Sequence, residues 1–224
     1  AINEELKKQG VETHRVNGLR VTDTATMEVV ESVLVNQVNA GIVEEIQALG
    51  GQARGLSAKD YGIMRVSKHF ANTSDGDVDI GFVGDVDSIE INPLLGLLRD
   101  GFIPVIAPIG LGPGGHSFNV NADTAAGRFA AALSAEKLVF LTDVLGILRC
   151  HDDPESLMSS VSVEEVGDLL ENGVINGGMI PKIQACVDAV ETGVSKTHIV
   201  SGCIPHSMLL EIFTRDGIGT EITE

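Results

Sequence analysis

The sequence holds no tryptophan and one tyrosine, and aromatic residues make up only 4% of it. Any core must therefore be assembled from Val, Ile, Leu and Ala rather than from stacked rings. Cysteine is scarce as well. Cys150, Cys186 and Cys203 are an odd set without short spacing, which excludes a disulfide framework and a cysteine zinc site and leaves reduced thiols. Positive charge is short: 15 Lys and Arg stand against 32 Asp and Glu, a formal net charge of −17. Such a surface repels phosphate backbones, so the expectation is no nucleic-acid and no membrane partner. No apolar run reaches membrane-spanning length and no signal peptide is evident, so a cytoplasmic location is expected. The histidines fall at no metal-ligand spacing, and no protein-bound metal is expected. No G-x-S-x-G pattern is present. No G-x-G-x-x-G opens a helix after a strand with an acidic residue about twenty positions on, which argues against a dinucleotide oxidoreductase. Gly-Pro-Gly-Gly at 112–115 leads into a strand and reads as a turn.

What is present suits an α/β protein. Of 224 residues, 43% are hydrophobic, and 26 glycines cluster between apolar runs. Met27, Val30, Leu34, Val38, Ile42 and Ile46 recur at helical spacing over 24–49, and Gly50-Gly51 stops the run. Residues 52–56 form a strand candidate, and 60–78 suit a polar hairpin or flap. A strand over 80–86 follows. Asn92-Pro93 opens a helix, with Asn as N-cap and Pro at the first position. Strand 102–107, a turn-rich loop 108–116, helix 123–133 and strand 137–141 come next. Ser162 to Glu165 form a capping box for a helix ending at Gly173. Helix 179–191, strand 197–200, helix 205–213 and strand 219–222 complete the alternation. It predicts a largely parallel sheet between helical layers, with a soft boundary near 107–122.

Four segments can carry chemistry. Asn119-Val120-Asn121-Ala122-Asp123 places two amides and a carboxylate where a strand runs into a helix; ligands bind beyond the carboxyl ends of such strands, and a turn plus N-cap uses the same residues. Leu141 to Leu148 is an apolar strand ending in a polar turn, where a carboxylate can take ribose hydroxyls. Asn176-Gly177-Gly178-Met179-Ile180-Pro181-Lys182 is a glycine pair opening a helix with a Lys one turn in; this can hold phosphate, or be a plain helix start with a solvated Lys. It lacks the Walker A spacing. Arg20, in Asn17-Gly18-Leu19-Arg20-Val21-Thr22, precedes a helix and can clamp a carboxylate through two parallel hydrogen bonds.

Taken in order, VNGLRVTD, DIGFVGDV, NVNADTAAG, KLVFLTDVLGIL, NGGMIPKI and PHSMLLEIFTRDGIGTEI resemble the N-acetylglutamate kinases of the amino-acid kinase family over nearly the whole chain. The resemblance implies a three-layer αβα sandwich of the amino-acid/carbamate kinase kind, one domain over 1–224. Residues 1–110 would be the acyl-amino-acid half and 111–224 the ATP half. It implies transfer of the ATP γ-phosphoryl group, with Mg²⁺ carried by the nucleotide, to the side-chain carboxylate of N-acetyl-L-glutamate in arginine biosynthesis. By position, Lys182 and Asp123 would be catalytic, and Arg20, Asn119 and Asn121 would bind the substrate. Asp143, Val144, Leu145, Gly146, Ile147, Leu148, Val174, Ile175, Asn176, Gly178 and Met179 would hold ATP. The family's Lys-Gly-Gly strand and a second turn reading roughly HGGGP precede the position of Ile2-Asn3. The expectation is therefore an N-terminally truncated piece of a kinase whose sheet lacks its first strands, or else a truncated inactive homologue. Further expectations are a homo-oligomer, dimer or hexamer, and L-arginine as a feedback inhibitor. A non-catalytic arginine- or nucleotide-binding homologue and an N-acetyl-aminoadipate kinase are the rival readings.

Overall fold

The computed structural model describes residues 1–74, 76–214 and 217–224, and the chain divides into two compact units, residues 1–125 and 126–224.

In the first unit, helix α1 (Ile2–Lys8) has Glu4 and Glu5 in its first turn and Lys7 and Lys8 in its last, the arrangement that complements the helix dipole. Strands β1 (Arg15–Val16) and β2 (Leu19–Arg20) form a tight antiparallel hairpin. Its turn residues Asn17 and Gly18 both have positive φ, 50° and 81°, the combination that Asn-Gly accepts most readily. Helix α2 (Thr24–Glu31) starts at Asp23, whose carboxylate accepts the Thr26 N–H at 2.8 Å. It continues through a π-helical stretch, Ser32–Asn39, into α3 (Ala40–Ala48). The helix expected over 24–49 is thus present, but its apolar stripe does not stay inward: Val38 and Ile42 are exposed, and Asn39 is buried instead.

Strand β3 (Ala53–Ser57) precedes a long antiparallel hairpin, β4 (Met64–Thr73) and β5 (Gly76–Ile89), which contains the polar segment expected as a flap. Helix α4 (Asn92–Arg99) has Ile91, not Asn92, at its cap, because the Ile91 carbonyl accepts the first helical amide, Leu95 N–H, at 2.9 Å; the Glu90 carboxylate accepts the backbone N–H and the Nδ2 of Asn92. Strand β6 (Ile103–Ala107) pairs in parallel with β3 from Ala53–Ile103 to Ser57–Ala107. Asn39 fastens the helix to this pair, donating from Nδ2 to the carbonyls of Leu56 and Val105 at 3.3 and 2.8 Å. Strands β7 (Ile109–Leu111) and β8 (Ser117–Asn119) close with β4 and β5 into a small barrel. Residues 112–115 are the turn between β7 and β8, as the sequence indicates. Helix α5 (Ala122–Ala132) follows.

The second unit has strands β9 (Lys137–Thr142) and β10 (Ser160–Ser162), helices α6 (Val163–Glu171) and α7 (Met179–Glu191), strand β11 (Lys196–Ser201), helix α8 (Ser207–Phe213) and strand β12 (Thr220–Thr223). Their sheet runs β10-β12-β11-β9, with β9–β11 and β10–β12 parallel and β11–β12 antiparallel. The capping box is as expected: Ser162 Oγ accepts the Glu165 N–H, and the Glu165 carboxylate accepts the Ser162 N–H. Phe140, Ile147, Val161, Val166, Ile175, Ile183, Cys186, Ile199 and Ile222 form one buried cluster. Each such side chain contributes roughly 1.5–3 kcal/mol on burial. The alternation of parallel pairs with helices is the α/β class predicted from the sequence. Among the described residues no helix is long and apolar enough to cross a membrane.

Candidate active site

The second unit holds a cavity of about 370 Å³, within the range of small-molecule sites. It lies past the carboxyl end of β9, where ligands collect in parallel sheets. Two loops line it. Thr142, Asp143, Val144, Leu145, Gly146 and Leu148 come from the loop after β9, and Val174, Asn176, Gly178, Met179 and Lys182 from the approach to α7. The apolar members offer a face to a flat ring, and Asp143 offers a carboxylate to hydroxyls. Two residues expected here are placed otherwise: the side chains of Ile147 and Ile175 are 1% and 2% exposed and pack in the core beneath.

The loop after β9 is held from both ends. Thr142 Oγ1 accepts the Val144 N–H at 3.0 Å, and the Thr142 carbonyl accepts the Gly202 N–H at 2.7 Å. Further on, the buried Ile147 N–H donates to Thr220 Oγ1 at 2.8 Å. Gly146 is required here, because a Cβ would lie 2.5 Å from Thr220 Oγ1 and 2.9 Å from Leu157 Cδ1.

At the other wall, a Cβ on Gly177 or Gly178 would meet no atom within 4 Å, so the glycine pair opens onto free space. Helix-end amides were the expected phosphate donors, but the N–H groups of Met179 and Ile180 already donate to Asn176 and Gly177 carbonyls, and Pro181 has none. The positive potential there comes from Lys182 and from the end of a 13-residue helix with no acidic residue in its first turn. Lys182 Nζ sits 5.4 Å from the Phe140 ring centroid, a cation–π distance.

In the first unit, Arg20 donates from Nη2 to Asn3 Oδ1 at 2.7 Å, while its Nη1 is buried without a hydrogen-bond partner. Burial, and then the neighbouring Arg15, lower the pKa of Arg20. Arg15 and Arg20 are directly opposite across the β1–β2 hairpin. Like charges so placed repel, and an anion relieves both that repulsion and the unused donor. Gly81, with φ +82°, lets this segment dock: Phe82 N–H donates to the Thr22 carbonyl at 2.6 Å, and a Cβ on Gly81 would lie 2.1 Å from that oxygen. Asn119 ends β8, paired to Val83 on one side and Ile109 on the other. Asn121 Oδ1 accepts the Thr124 N–H at 3.0 Å and so caps α5; Asp123 lies in that helix's first turn.

The sequence reading missed Arg15, His151 and Thr220. His151 also lines the cavity. Arg15 was signalled by Asn17-Gly18, the hairpin turn that sets it opposite Arg20. No local pattern announces Thr220, which is 73 positions from the amide it accepts.

A second polar cluster lies beneath the cavity loop. His198 Nδ1 and Glu211 Oε1 are 2.8 Å apart, with both side chains 4% exposed. Glu211 Oε2 accepts the N–H groups of Ile218 and Gly219 at 2.7 and 2.9 Å. Burial pushes the Glu211 carboxyl up, but the Ile218 amide, His198 and the Gly219 amide outweigh it and hold the pKa below its ordinary value. Arg215 and Asp216, within the C-terminal run that contributes to the family resemblance, lie outside the described residues. Among the described residues, no group of three or more His, Cys, Asp or Glu stands together to hold a metal ion.

Residues 1–201 match the amino acid kinase family. The acetylglutamate kinase of Heliobacterium modesticaldum is 54% identical over 226 residues, covering 99% of this chain and 77% of that protein. The acetylglutamate kinase of Symbiobacterium thermophilum is 49% identical, covering 100% and 77%. Among solved structures, smu.665 from Streptococcus mutans UA159 superposes with a TM-score of 0.81 at 28% identity, covering 100% of this chain and 82% of that one. An N-acetylglutamate synthase from Neisseria gonorrhoeae, complexed with coenzyme A and N-acetyl-glutamate, gives 0.79 at 30% identity, covering 100% and 49%.

Proposed function

The chain belongs to the amino acid kinase family, among the acetylglutamate kinases, and on that premise we propose that it serves transfer of the ATP γ-phosphoryl group to the side-chain carboxylate of N-acetyl-L-glutamate. The observation that carries this reading is the cavity of residues 126–224, which gathers the turn after β9, Gly178 and Lys182 around one volume. Adenine takes the apolar wall of Val144, Leu145, Leu148 and Met179, Asp143 takes the ribose, and Lys182 meets the phosphates. Mg²⁺ accompanies the nucleotide on its phosphates and neutralises charge there.

The chemistry asks for little beyond positioning and charge. A carboxylate is ionised at neutral pH, so its oxygen attacks the γ-phosphorus without a general base. The bond from that phosphorus to the β–γ bridging oxygen breaks, ADP leaves with the electron pair, and an acyl phosphate forms. Two anions must approach, and cations offset their repulsion. Lys182 does so for the phosphoryl group, and Arg20, with its buried unpartnered Nη1, binds the acid's α-carboxylate. Asn119 and Asn121 contact the same acid, and Asp123, in the first turn of α5, is assigned a catalytic role by its position in the family motif.

The test is calorimetry of ADP and of N-acetyl-L-glutamate on the chain, with hydroxylamine trapping of acyl phosphate. Acyl phosphate lost in Lys182→Ala, and acid heat lost in Arg20→Ala, are the expected results. No heat from either ligand on the unaltered chain would sink the reading. N-acetyl-L-2-aminoadipate belongs in the same titration, because one methylene separates the acids by only about 1–3 kcal/mol.

A second ligand is suggested by another Neisseria gonorrhoeae N-acetylglutamate synthase structure, complexed with coenzyme A and L-arginine, which superposes with a TM-score of 0.77 at 27% identity, covering 99% of this chain and 51% of that one. L-arginine is accordingly proposed as a feedback ligand of this chain. Arginine heat without nucleotide heat would favour a purely regulatory homologue. A homo-oligomer, read by light scattering, and a cytoplasmic setting complete the proposal.

A further inference from the structure

We propose that Thr220, near the C-terminus, is a positioning residue for nucleotide binding: its hydroxyl fixes the backbone of the loop after β9 in the form that receives the nucleotide. The inference rests on the assignment of the cavity to a nucleotide. Thr220 is fully buried and opens β12, where it pairs with Ile199. Its Oγ1 is the acceptor of the Ile147 N–H at 2.8 Å. Ile147 itself points into the core and its carbonyl accepts the Met158 N–H at 2.9 Å, so that bond and the one to Thr220 together set the path of the backbone between Gly146 and Leu148, both of which line the cavity. The same hydroxyl occupies the space that a side chain at position 146 would need, 2.5 Å from the missing Cβ. Threonine and glycine therefore fit as a pair.

Thr220 is itself anchored. The segment leading to it is held by Glu211, which accepts the N–H groups of Ile218 and Gly219 and is seated against His198. Gly219 also lies tight against β11, where a Cβ would be 2.3 Å from the Ile199 carbonyl oxygen. The hydroxyl is thus fixed relative to β11, and through it to β9, whose end starts the cavity loop. A buried amide deprived of its acceptor is costly, so removing the hydroxyl forces the loop to find another path.

Thr220→Val removes the hydroxyl and keeps the branched shape; Thr220→Ser keeps the hydroxyl and loses a methyl group. ADP affinity is measured by calorimetry, with amide hydrogen exchange followed over 143–148 with and without ADP. In the unaltered chain, ADP should slow exchange across the loop. Thr220→Val should weaken ADP binding about tenfold and speed exchange at Ile147, and Thr220→Ser should restore both, even where its thermal midpoint falls below that of Thr220→Val. Unchanged ADP affinity in Thr220→Val, with the loop still protected in the unaltered chain, would overturn the positioning role alone. Equal weakening in the serine variant would also overturn it, since the loss would then follow packing rather than the hydroxyl. Absence of ADP protection in the unaltered chain would overturn the cavity assignment, and this inference with it.

Discussion

In residues 126–224 the groups around the cavity are already engaged: Thr142 and Thr220 hold loop amides, the amides opening α7 are bonded to the preceding turn, and Glu211 secures the segment behind. In residues 1–125 the corresponding group is left wanting, because Arg20 has one partner, Asn3, and one buried nitrogen with none. On the proposed assignment, the half that takes the nucleotide is organised before its ligand arrives, and the half that takes the acid holds a cation whose hydrogen bonding an anion would complete. Binding to the first should change little in the backbone, whereas binding to the second should raise stability noticeably.

The largest effect should come from the support of the organised half. Glu211→Ala strips the acceptor from two amides and the partner from His198, and should cost about 3–5 kcal/mol of unfolding free energy in urea titration. Because the folded carboxyl lies below its ordinary value of 4.5, its contribution is present above that value and fades as pH falls through the lowered one. The unaltered chain should therefore lose more stability on acidification from about pH 6 to 3 than Glu211→Gln does. Equal pH slopes would break the account of a pre-built half.

Lys182→Ala tests whether the cavity's charge acts in the reaction or only in binding. Single-turnover phosphoryl transfer should fall about 10²–10³-fold, with ADP affinity changing far less. A drop in affinity alone would make the Lys a simple phosphate anchor. Arg20→Ala should weaken N-acetyl-L-glutamate binding about 10–100-fold in calorimetry, and should remove the rise in thermal midpoint that the acid produces. Arg20→Lys should recover only part, since an ammonium cannot reproduce the fork. The smallest effect is Asn121→Ala. As a helix cap it should cost about 1 kcal/mol in denaturation, with affinity for the acid reporting any direct contact in addition.

How much was legible follows the same division. The loop after β9 and the approach to α7 are two short contiguous runs, so residues that line one cavity were visible as sequence segments. What stayed hidden was tertiary: Thr220 meets Ile147 from a distant part of the chain, and Ile147 and Ile175, read as part of the nucleotide turn, face the core. In the first unit, the periodicity of residues 24–49 correctly gave a helix but not its burial, because Asn39 replaces Val38 and Ile42 on the inner side. Asn17-Gly18, which the sequence reading did not take as a hairpin turn, sets Arg15 opposite Arg20, and this emerges only once the strands pair. Asn92 carried the signs of a cap, but the helix starts one residue earlier, with the Ile91 carbonyl accepting the Leu95 N–H.

The wide turn at Ser32–Asn39 acts as a phase shifter. A π-helical turn holds more residues than the 3.6 of an α-turn, so the inward face drifts from where an unbroken α repeat would leave it. At its end a carboxamide, rather than a valine, meets the carbonyls of Leu56 and Val105, where Gly55 leaves room for it, since a Cβ there would lie 2.3 Å from Asn39 Oδ1. Deleting one of residues 32–38 should rewind the helix and turn Asn39 away from the strands. The length of this segment is therefore as much a part of the fold's specification as the residues within it.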